Sequence, residues 1–376
     1  MKTLVGEKTK IIDLKGKTVL PGLIDAHMHV DLYAVNTKLN LDLRIPPNKS
    51  LKEIKDKIGQ KVEETTRGEW IIGQVRFETQ PYPTKEELDE LAPHNPVVVG
   101  ITGHRLMLNT KALEMAEGGR ITKDSPTQEK LHKLAPGGRI QRDPKTREPT
   151  GITDDCFDYI FRRCPYPYEQ LKGAIRDTCM ELVSYGVTSI HEFYSWSESS
   201  RIYQELHANG SLPLRIQLVP TVWGLGCSTK LDCIIQLGLK TGFGNEWIKF
   251  GSVKIFVDAW HLPEYVTTRL SQEKLDILLA KAHKAGIRVI MHAVSRNGTK
   301  MAINAIQSAL QDSPHSNHRH RIEHLGSMSP LDPSDLEKVV DLGIIPCPQP
   351  YFSYARARPI RISLSLPFLW ACKILS

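Results

Sequence analysis

Residues 21–29 read Pro-Gly-Leu-Ile-Asp-Ala-His-Met-His, an apolar run with strand character that ends in two histidines. Because alternate residues of a strand share a face, the imidazoles of His27 and His29 project from the same side. Neutral imidazole is a ligand for Zn²⁺, Fe²⁺ or Ni²⁺, so the pair could bind one ion. Asp25 lies on the same face and could accept a ring N–H that orients a ligand. The alternative is a pair of ordinary surface or core histidines, since two ligands do not make a site.

Three further candidates lie at the ends of other predicted strands. Residues 253–258 form a β-branched, alternating run that places Lys254 on one face, and the runs 287–293 and 319–324 carry His292 and His324 near their ends. Each run follows a helix-like stretch, and this alternation indicates parallel βα units. Singly, each histidine could be an ordinary structural residue. Together with the first pair they place four imidazoles at the carboxyl ends of strands, where barrel enzymes assemble their sites.

Several motifs in this order resemble the amidohydrolase superfamily, in the branch of N-substituted formamide deformylase. The resemblance extends from about residue 13 to about residue 351 and includes Gly-Val-Thr-Ser-Ile-His at 186–191 as a second barrel strand. It implies a TIM-like (β/α)₈ barrel with an inserted α/β segment and a vestigial small β-domain. The motifs that carry it are Pro-Gly-Leu-Ile-Asp-Ala-His-Met-His, Val-Lys-Ile-Phe-Val-Asp, Met-His-Ala and Arg-Ile-Glu-His.

The resemblance also implies roles for single residues. Lys254 matches a lysine that can be carboxylated to bridge two metals, and we expect it to act in catalysis together with His292. The alternative for Lys254 is an ordinary cation at a barrel rim. His104 matches a histidine that caps the substrate pocket, with a loop histidine bonded to backbone as the alternative. The expected cofactor is one or two divalent ions, with zinc as the first choice. The implied metal ligands are His27, His29, Lys254, His292 and His324.

The implied reaction is hydrolysis of a non-peptide C–N bond of a small amide or N-substituted formamide, by attack of metal-bound hydroxide. Relatives place an aspartate at the end of the eighth barrel strand, where it carries the proton. Here the last carboxylate is Asp341, and residues 342–376 contain neither Asp nor Glu. A catalytically impaired or dead remnant is therefore the main alternative. A barrel enzyme without metal is a third possibility.

The chain divides into three predicted parts. Residues 1–17 are expected to be a remnant of the small β-domain, with a strand and turn at 10–17, and residues 18–350 the barrel with an insertion at about 31–153. Within the insertion we expect a helix at 51–66, a strand at 96–102 and a loop at 118–151, which is rich in Gly, Pro and charge. Residues 351–376 form an atypical tail, so the eighth strand is expected to be atypical or missing. We expect truncation at both ends.

Composition is that of an ordinary globular enzyme, with 40% hydrophobic and 24% charged residues. The net charge of +7 is scattered along the chain, which argues against a nucleic-acid partner. The apolar stretch at 362–375 is too short to span a membrane, and no secretory signal begins the sequence. Seven cysteines without paired spacing indicate a cytoplasmic setting. The expected partners are a small amide substrate and, through an exposed sheet edge, a second copy in a homo-oligomer.

Overall fold

A computed structural model of the chain describes residues 5–45, 47–48, 50–75, 82–101, 104–224, 229–260, 266–327 and 331–349. The predicted tail at 351–376, and with it any eighth strand, lies outside the described residues. No helix in these ranges is long and apolar enough to cross a membrane.

Short strands occur along the whole described chain. In chain order they are β1 (Leu23–Met28), β2 (Leu41–Asp42), β3 (Ile71–Gln74), β4 (Val97–Ile101), β5 (Arg105–Leu108), β6 (Arg139–Arg142), β7 (Pro149–Asp154), β8 (Val187–Glu192), β9 (Arg215–Leu218), β10 (Thr221–Trp223), β11 (Ile248–Phe250), β12 (Val253–Phe256), β13 (Asp258–Trp260), β14 (Val266–Thr268), β15 (Val289–His292), β16 (Arg321–Glu323) and β17 (Ile345–Cys347).

Helices separate most of these strands. They are α1 (Val30–Ala34), which runs into a π-helical turn (Val35–Leu39), α2 (Leu51–Glu64), α3 (Lys85–Leu91), α4 (Thr110–Met115), α5 (Gln128–Leu134), α6 (Phe157–Ile160), α7 (Tyr168–Ser184), α8 (Ser197–Ala208), α9 (Leu231–Gln236), α10 (Gln272–Lys284), α11 (Arg296–Asp312) and α12 (Pro333–Asp341).

Two parallel sheets form the part of the fold that carries the candidate site. One has the order β1-β8-β9-β11 and the other the order β10-β12-β15-β16-β17. Backbone hydrogen bonds continue between them, because Gly251 N donates to Leu218 O and Lys254 N donates to Pro220 O, each at 2.9 Å. The pairs β9/β10 and β11/β12 are therefore the halves of two interrupted strands, which gives seven parallel strand positions.

The mixed α/β class with parallel sheets is confirmed, and the predicted strands at 186–191, 253–258, 287–293 and 319–324 are β8, β12, β15 and β16. A closed barrel is not formed by the described residues, since β1 and β17 are sheet edges. The physical reason is that a barrel closes only when a strand pairs with both edges, and the chain after β17 lies outside the described ranges. The closed (β/α)₈ barrel stays a prediction.

A third sheet comes entirely from residues between β1 and β8. Its order is β2-β3-β4-β5-β7-β6, with parallel pairing from β2 to β4 and antiparallel pairing beyond. The buried Asn109 joins its parts, because its side-chain oxygen accepts from Val97 N and Ala112 N at 2.9 Å each. The helix expected at 51–66 and the strand expected at 96–102 are confirmed as α2 and β4.

The loop expected at 118–151 is wrong, because this stretch contains α5, β6 and the start of β7. The hydroxyl of Thr127 caps α5 by accepting from Lys130 N at 3.3 Å, and the helix buries Leu131 in an apolar core. The strand β6 has exposed and half-buried residues only, and its pairing with β7 holds it in place. Neither feature shows in an average composition of Gly, Pro and charge.

The strand expected at 10–17 is also wrong. Residues 5–20 are all exposed, and in place of a strand the segment has a turn, with Lys17 N donating to Leu14 O at 3.0 Å. Lys15 and Gly16 take positive φ values of 50° and 78° at this turn. An isolated strand gains too little from its own residues to be stable, and the described chain offers this one no pairing partner.

Helices cover the two parallel sheets through separate apolar cores. One core joins β12 and β15 to α10 and α11 around buried residues such as Ile255 and Leu279, and the other joins β8 to α7 and α8 around Ile190. Each fully buried side chain of this size contributes about 1.5–3 kcal/mol. Helices α10 and α11 begin at serines whose hydroxyls accept from Lys274 N and Gly298 N. The cores hold the carboxyl ends of β1, β8, β12, β15 and β16 side by side.

Candidate metal centre

Four imidazoles meet at the carboxyl ends of the parallel strands. His27 lies in β1 and His29 directly after it, while His292 ends β15 and His324 follows β16. Ring centroids are 5.4 Å apart between His29 and His27, 5.1 Å between His27 and His324, and 4.4 Å between His324 and His292. The structure therefore brings together four residues that the chain separates by as many as 297 positions.

Three of these rings are held through the same nitrogen, Nδ1. The partner is the carboxylate of Glu323 for His27, the carbonyl oxygen of Phe193 at 2.8 Å for His29, and the side-chain oxygen of Gln349 for His324. Each partner atom is an oxygen that accepts a hydrogen bond, so Nδ1 carries the hydrogen and the lone pair is on Nε2. Metal-binding histidines are oriented in this way by partners behind them.

The prediction that the Asp25 carboxylate accepts a ring N–H is wrong. Asp25 Oδ1 accepts the backbone N–H of His27 at 3.0 Å, and Glu323 holds the ring. The reason is the local geometry: the Asp25 side chain folds back on its own strand, and the carboxylate at the end of β16 occupies the position beside the ring. Asp25 fixes the backbone at the strand end.

Lys254 lies on β12 below the imidazoles and is buried. Its Nζ is 4.4 Å from the ring centroid of Phe193 and has no hydrogen-bond partner in the described part of the chain. Nε2 of His292 likewise has no such partner among the described residues, with Asp258 Oδ1 the nearest charged atom at 3.6 Å. Within the described ranges, two buried nitrogen atoms of the cluster thus have no hydrogen-bond partner.

Burial controls the charge state of the cluster. Loss of solvent lowers the pKa of His27, His292 and His324 well below the usual range and that of His29 to about 4, and the Lys254 charge lowers them further. Burial also lowers the pKa of Lys254 to about 8, although Glu323 opposes this shift. The imidazoles are therefore neutral at pH 7, and Lys254 loses its proton much more readily than an exposed lysine.

The donors present fit a divalent cation in their chemistry. Four neutral imidazoles and a lysine with a lowered pKa offer nitrogen ligands, and a cation would partner the two buried nitrogens that lack hydrogen bonds. A carbamate on Lys254 would add two anionic oxygens. Across the described ranges, no three His, Cys, Asp or Glu side chains already converge on one point. The ligand roles of His27, His29, Lys254, His292 and His324 stay a prediction.

His104 lies in the loop before β5. Its Nδ1 is 2.8 Å from Asp155 Oδ1, and its side chain is 23% exposed. The ring is thus hydrogen-bonded to a buried carboxylate. The alternative prediction was a ring bonded to backbone, and the structure shows a side-chain partner instead. Its role toward a substrate stays a prediction.

Two functional neighbours were missed from the sequence, Glu323 and Arg321. Arg321 donates to Glu323 through Nε and Nη2 at 2.9 Å each, and also to Ala26 O at 2.8 Å. Its Nη1 lies 2.7 Å from Nδ1 of His191, whose pKa falls to about 4 through burial and the Arg321 charge. The alternation Arg-Ile-Glu places both charges on one face of β16, which is the signal that could have found them.

Two further buried carboxylates, those of Glu192 and Asp31, hold the start of α1 directly after β1. Glu192 accepts from Val30 N at 2.7 Å and from Tyr203 at 2.9 Å, while Asp31 accepts from Ser195 N at 2.6 Å. Burial raises the pKa of Asp31 to about 6 and that of Glu192 well above its usual range. These contacts fix the backbone directly after His29, so they set where its ring lies.

A sequence model of the amidohydrolase family matches residues 10–370. The chain belongs to the amidohydrolase family. N-substituted formamide deformylase of Arthrobacter pascens is 25% identical to it over 369 residues, covering 89% of the chain and 63% of that enzyme. Protein LONG AFTER FAR-RED 3 of Arabidopsis thaliana is 27% identical over 367 residues, covering 88% of the chain and 58% of that protein. The family and branch that the motifs predicted are confirmed.

Solved structures agree with this amidohydrolase fold. An uncharacterized metal-dependent hydrolase from Pyrococcus horikoshii OT3 superposes with a TM-score of 0.63 at 22% identity, covering 92% of the chain and 66% of that protein. At this identity the likeness concerns the fold. The chain spans about three-fifths of the length of the two curated relatives.

Proposed function

We propose that this amidohydrolase-family chain is a metal-dependent hydrolase of a non-peptide C–N bond in a small amide or N-substituted formamide. The observation that carries the proposal is the cluster of neutral imidazoles, three of them held through Nδ1, around a buried lysine. The substrate class is suggested by the name of the Arthrobacter relative. Zinc is the cation we expect first, because imidazole nitrogen is among its usual ligands.

The residues of the chain divide the work as follows. His27, His29, His292, His324 and Lys254 would hold the cation. When bound, it polarises the substrate carbonyl and makes a water molecule more acidic. Glu323 and the carbonyl of Phe193 keep two of the imidazoles oriented. His104, on the insertion, would hydrogen-bond the substrate.

A catalytically impaired or dead remnant is the second candidate. The observation that favours it is the lack of any Asp or Glu in residues 342–376, where relatives carry the aspartate that moves the proton. Loss of such a group costs about 10²–10⁴-fold in rate. The remnant would bind metal or a ligand without turnover.

The test combines metal analysis with hydrolysis of a panel of formamides. Wild-type chain, His292→Ala and His94→Ala would be purified without chelator, and His94 serves as control because it is an exposed histidine outside the cluster. We expect bound zinc and turnover in wild type and His94→Ala, and loss of both in His292→Ala.

Bound metal without turnover would favour the remnant. A wild-type chain that binds no divalent metal would overturn the proposal and favour a barrel enzyme without metal. A cytoplasmic location and a homo-oligomer belong to the proposal as well, and size-exclusion chromatography tests the second of these.

A further inference from the structure

A histidine, a carboxylate and an arginine form a chain of contacts between the insertion and the parallel sheets. His104 Nδ1 is 2.8 Å from Asp155 Oδ1, and Arg269 Nη2 is 2.9 Å from the same oxygen. Asp155 is 1% exposed and Arg269 is 2% exposed. Burying a charge pair this deeply costs free energy of desolvation, so we expect the pair to have a functional or structural role.

Arg269 is held on the side away from Asp155. Its Nη1 donates to the carbonyl oxygen of Pro136, and its Nε donates to the carbonyl oxygen of Asp258 at 3.3 Å. Since guanidinium is always charged and can only donate, it keeps Asp155 in the ionised, accepting form. Pro136 belongs to the insertion and Asp258 to the strand end next to His292, so Arg269 joins the two parts.

An ionised Asp155 fixes the tautomer of His104. The carboxylate accepts a hydrogen bond from Nδ1–H, which leaves the lone pair on Nε2, at the other side of the ring. Nε2 has no hydrogen bond to any described residue. A histidine oriented by a carboxylate through Nδ1 is the arrangement that gives imidazole a basic nitrogen in hydrolytic sites.

The ring also lies within electrostatic reach of the candidate metal centre. Arg269, which contacts Asp155, also donates through Nε to Asp258 O, and Asp258 Oδ1 lies 3.6 Å from Nε2 of His292. The pKa values of His29 and His292 are lowered mainly by burial and further by a charge on His104. The side chain is partly exposed, so solvent and a small substrate can reach it. His104 therefore lies between bulk solvent and the strand ends.

We infer that His104 is the proton carrier of this site, held by Asp155 and Arg269 with Nε2 as the basic nitrogen. The inference rests on the proposed function and goes beyond a hydrogen bond to substrate. It assigns the acid–base role of this reaction to a residue of the insertion. Asp155 and Arg269 are positioning residues.

The proton balance of the step is simple. Water adds its oxygen to the formyl carbon, one of its protons passes to His104 Nε2, and that proton moves on to the departing nitrogen as the C–N bond breaks. The products are formic acid, which releases its remaining proton to solvent as formate, and a free amine, and His104 returns to its starting form. No other reactant is needed.

The first test reads the tautomer and does not depend on activity. The full chain, labelled with ¹⁵N-histidine, would be studied by long-range ¹H–¹⁵N NMR at pH 8, with His104→Gln to assign the signal. We expect the ring hydrogen on Nδ1, which contacts Asp155, and a lone pair on Nε2. A ring protonated at Nε2 would overturn the inference.

The second test separates a basic Nε2 from a merely structural Nδ1–H. In His104→Asn the side-chain amide can still donate to Asp155 but offers nothing in place of Nε2, and His94→Asn is the matched exposed control. We expect kcat to fall about 10²–10⁴-fold with little change in KM. The loss is expected to be larger for formamides of alkylamines than for formanilides, because a more basic leaving group depends more on receiving a proton.

The outcomes distinguish this inference from the proposed function. A His104→Asn variant that keeps wild-type kcat, or loses it equally for all leaving groups, overturns the inference while the hydrolase proposal stands. A folded wild-type chain that hydrolyses no formamide overturns both the hydrolase proposal and the proton role. In that case the NMR experiment still decides whether Asp155 fixes the His104 tautomer.

Discussion

Glu323 connects groups that are distant in the sequence and adjacent in the site. Its carboxylate accepts from Nε and Nη2 of Arg321 and contacts the His27 ring, and it is fully buried. All its neighbours donate, so only a carboxylate, with acceptors on both oxygens, satisfies them. A single residue thus pairs the buried arginine and fixes the first predicted ligand.

In Glu323→Gln one carboxylate oxygen becomes an NH₂ group, which would face a hydrogen-bond donor of Arg321 or His27. We expect affinity for zinc to fall about 10–100-fold, because the His27 ring loses its orientation, and the free energy of unfolding to fall by about 3–5 kcal/mol. Metal titration and urea denaturation measure the two effects. Glu337→Gln is the control, since Glu337 is exposed on α12. Wild-type zinc affinity in Glu323→Gln would contradict this role.

Lys254 is a residue that the fold alone does not explain. Its ammonium is buried beside Phe193 without a hydrogen bond in the described chain, so charge at this position opposes folding. We expect Lys254→Met to raise the free energy of unfolding of metal-free protein by about 1–3 kcal/mol while abolishing turnover.

Urea denaturation after chelator treatment measures the gain, and the formamide assay measures the loss. Lys249→Met is a matched control on β11, the other half of the same interrupted strand, where the lysine is exposed, and it is expected to change stability by less than about 0.5 kcal/mol. A destabilised Lys254→Met would show that the lysine is a structural residue.

At the scale of elements, the start of α11 is built around Asp258. Its carboxylate accepts from Val294 N at 3.0 Å, Ser295 N at 2.9 Å and the Ser295 hydroxyl at 2.7 Å. The negative charge is favourable at a helix N-terminus. The helix passes so close that a Cβ on Gly298 would lie 2.2 Å from Asp258 Oδ2. Helix α11 can therefore pack this closely against Asp258 only because residue 298 is glycine.

Gly298→Ala is expected to lower the free energy of unfolding by about 1–3 kcal/mol, because Asp258 or the helix must move. Gly173→Ala in α7 is the matched control, since a Cβ there meets nothing within 4 Å. That control is expected to stabilise by about 0.5–1 kcal/mol through helix propensity. Urea denaturation measures the change in the free energy of unfolding of both variants. Changes of the same sign would contradict the steric argument.

At the scale of the whole molecule, a second set of histidines holds the opposite ends of the strands. His320 accepts from Val289 N at 3.0 Å through Nδ1 and contacts His283 Nδ1 at 2.9 Å through Nε2. His283 in turn donates to Ser313 O at 2.7 Å. Burial, followed by the charge of His318, lowers the pKa of His320 to about 3.

This shift makes folding sensitive to acid. Between pH 6.5 and about 3 the unfolded chain binds a proton at His320 that the folded chain does not, so stability falls as the pH falls. The effect reaches about 1.4 kcal/mol per pH unit for one group. In His320→Asn the amide oxygen can still accept from Val289 N, and we expect a shallower loss between pH 6 and 4.

Urea denaturation at pH 7, 6, 5 and 4 compares wild type with this variant. His94→Asn is the control and should follow wild type, because His94 is exposed. Parallel curves for wild type and His320→Asn would show that His320 does not carry the acid sensitivity.

Much of this architecture follows from the sequence because strand runs that carry a histidine near their end, or Lys254 in the run 253–258, are local signals. They predicted β1, β12, β15 and β16 and, through the rule that parallel strands end on one side, the meeting of His27, His292 and His324. The residues behind the rings could not be found in this way. The contacts of Gln349 and the Phe193 carbonyl depend on strand register and on the positive φ of 68° at His324.

The insertion shows the same limit on a larger scale. Its helix α2 has a clear helical spacing, but β6 is polar and is held by its pairing with β7. The ion pair of Asp155 with Arg269 joins segments more than 100 residues apart. Such contacts depend on how separate sheets pack, and no local pattern encodes them.

The contact between His27 and Glu323 spans 296 positions. During synthesis His27 leaves the ribosome long before Glu323. The contact that orients its ring can therefore form only when nearly the whole described chain has been made. Long-range closures of this kind are slow steps in folding. The proposed metal site is therefore expected to form late in folding, and metal binding would report that β16 has come together with β1.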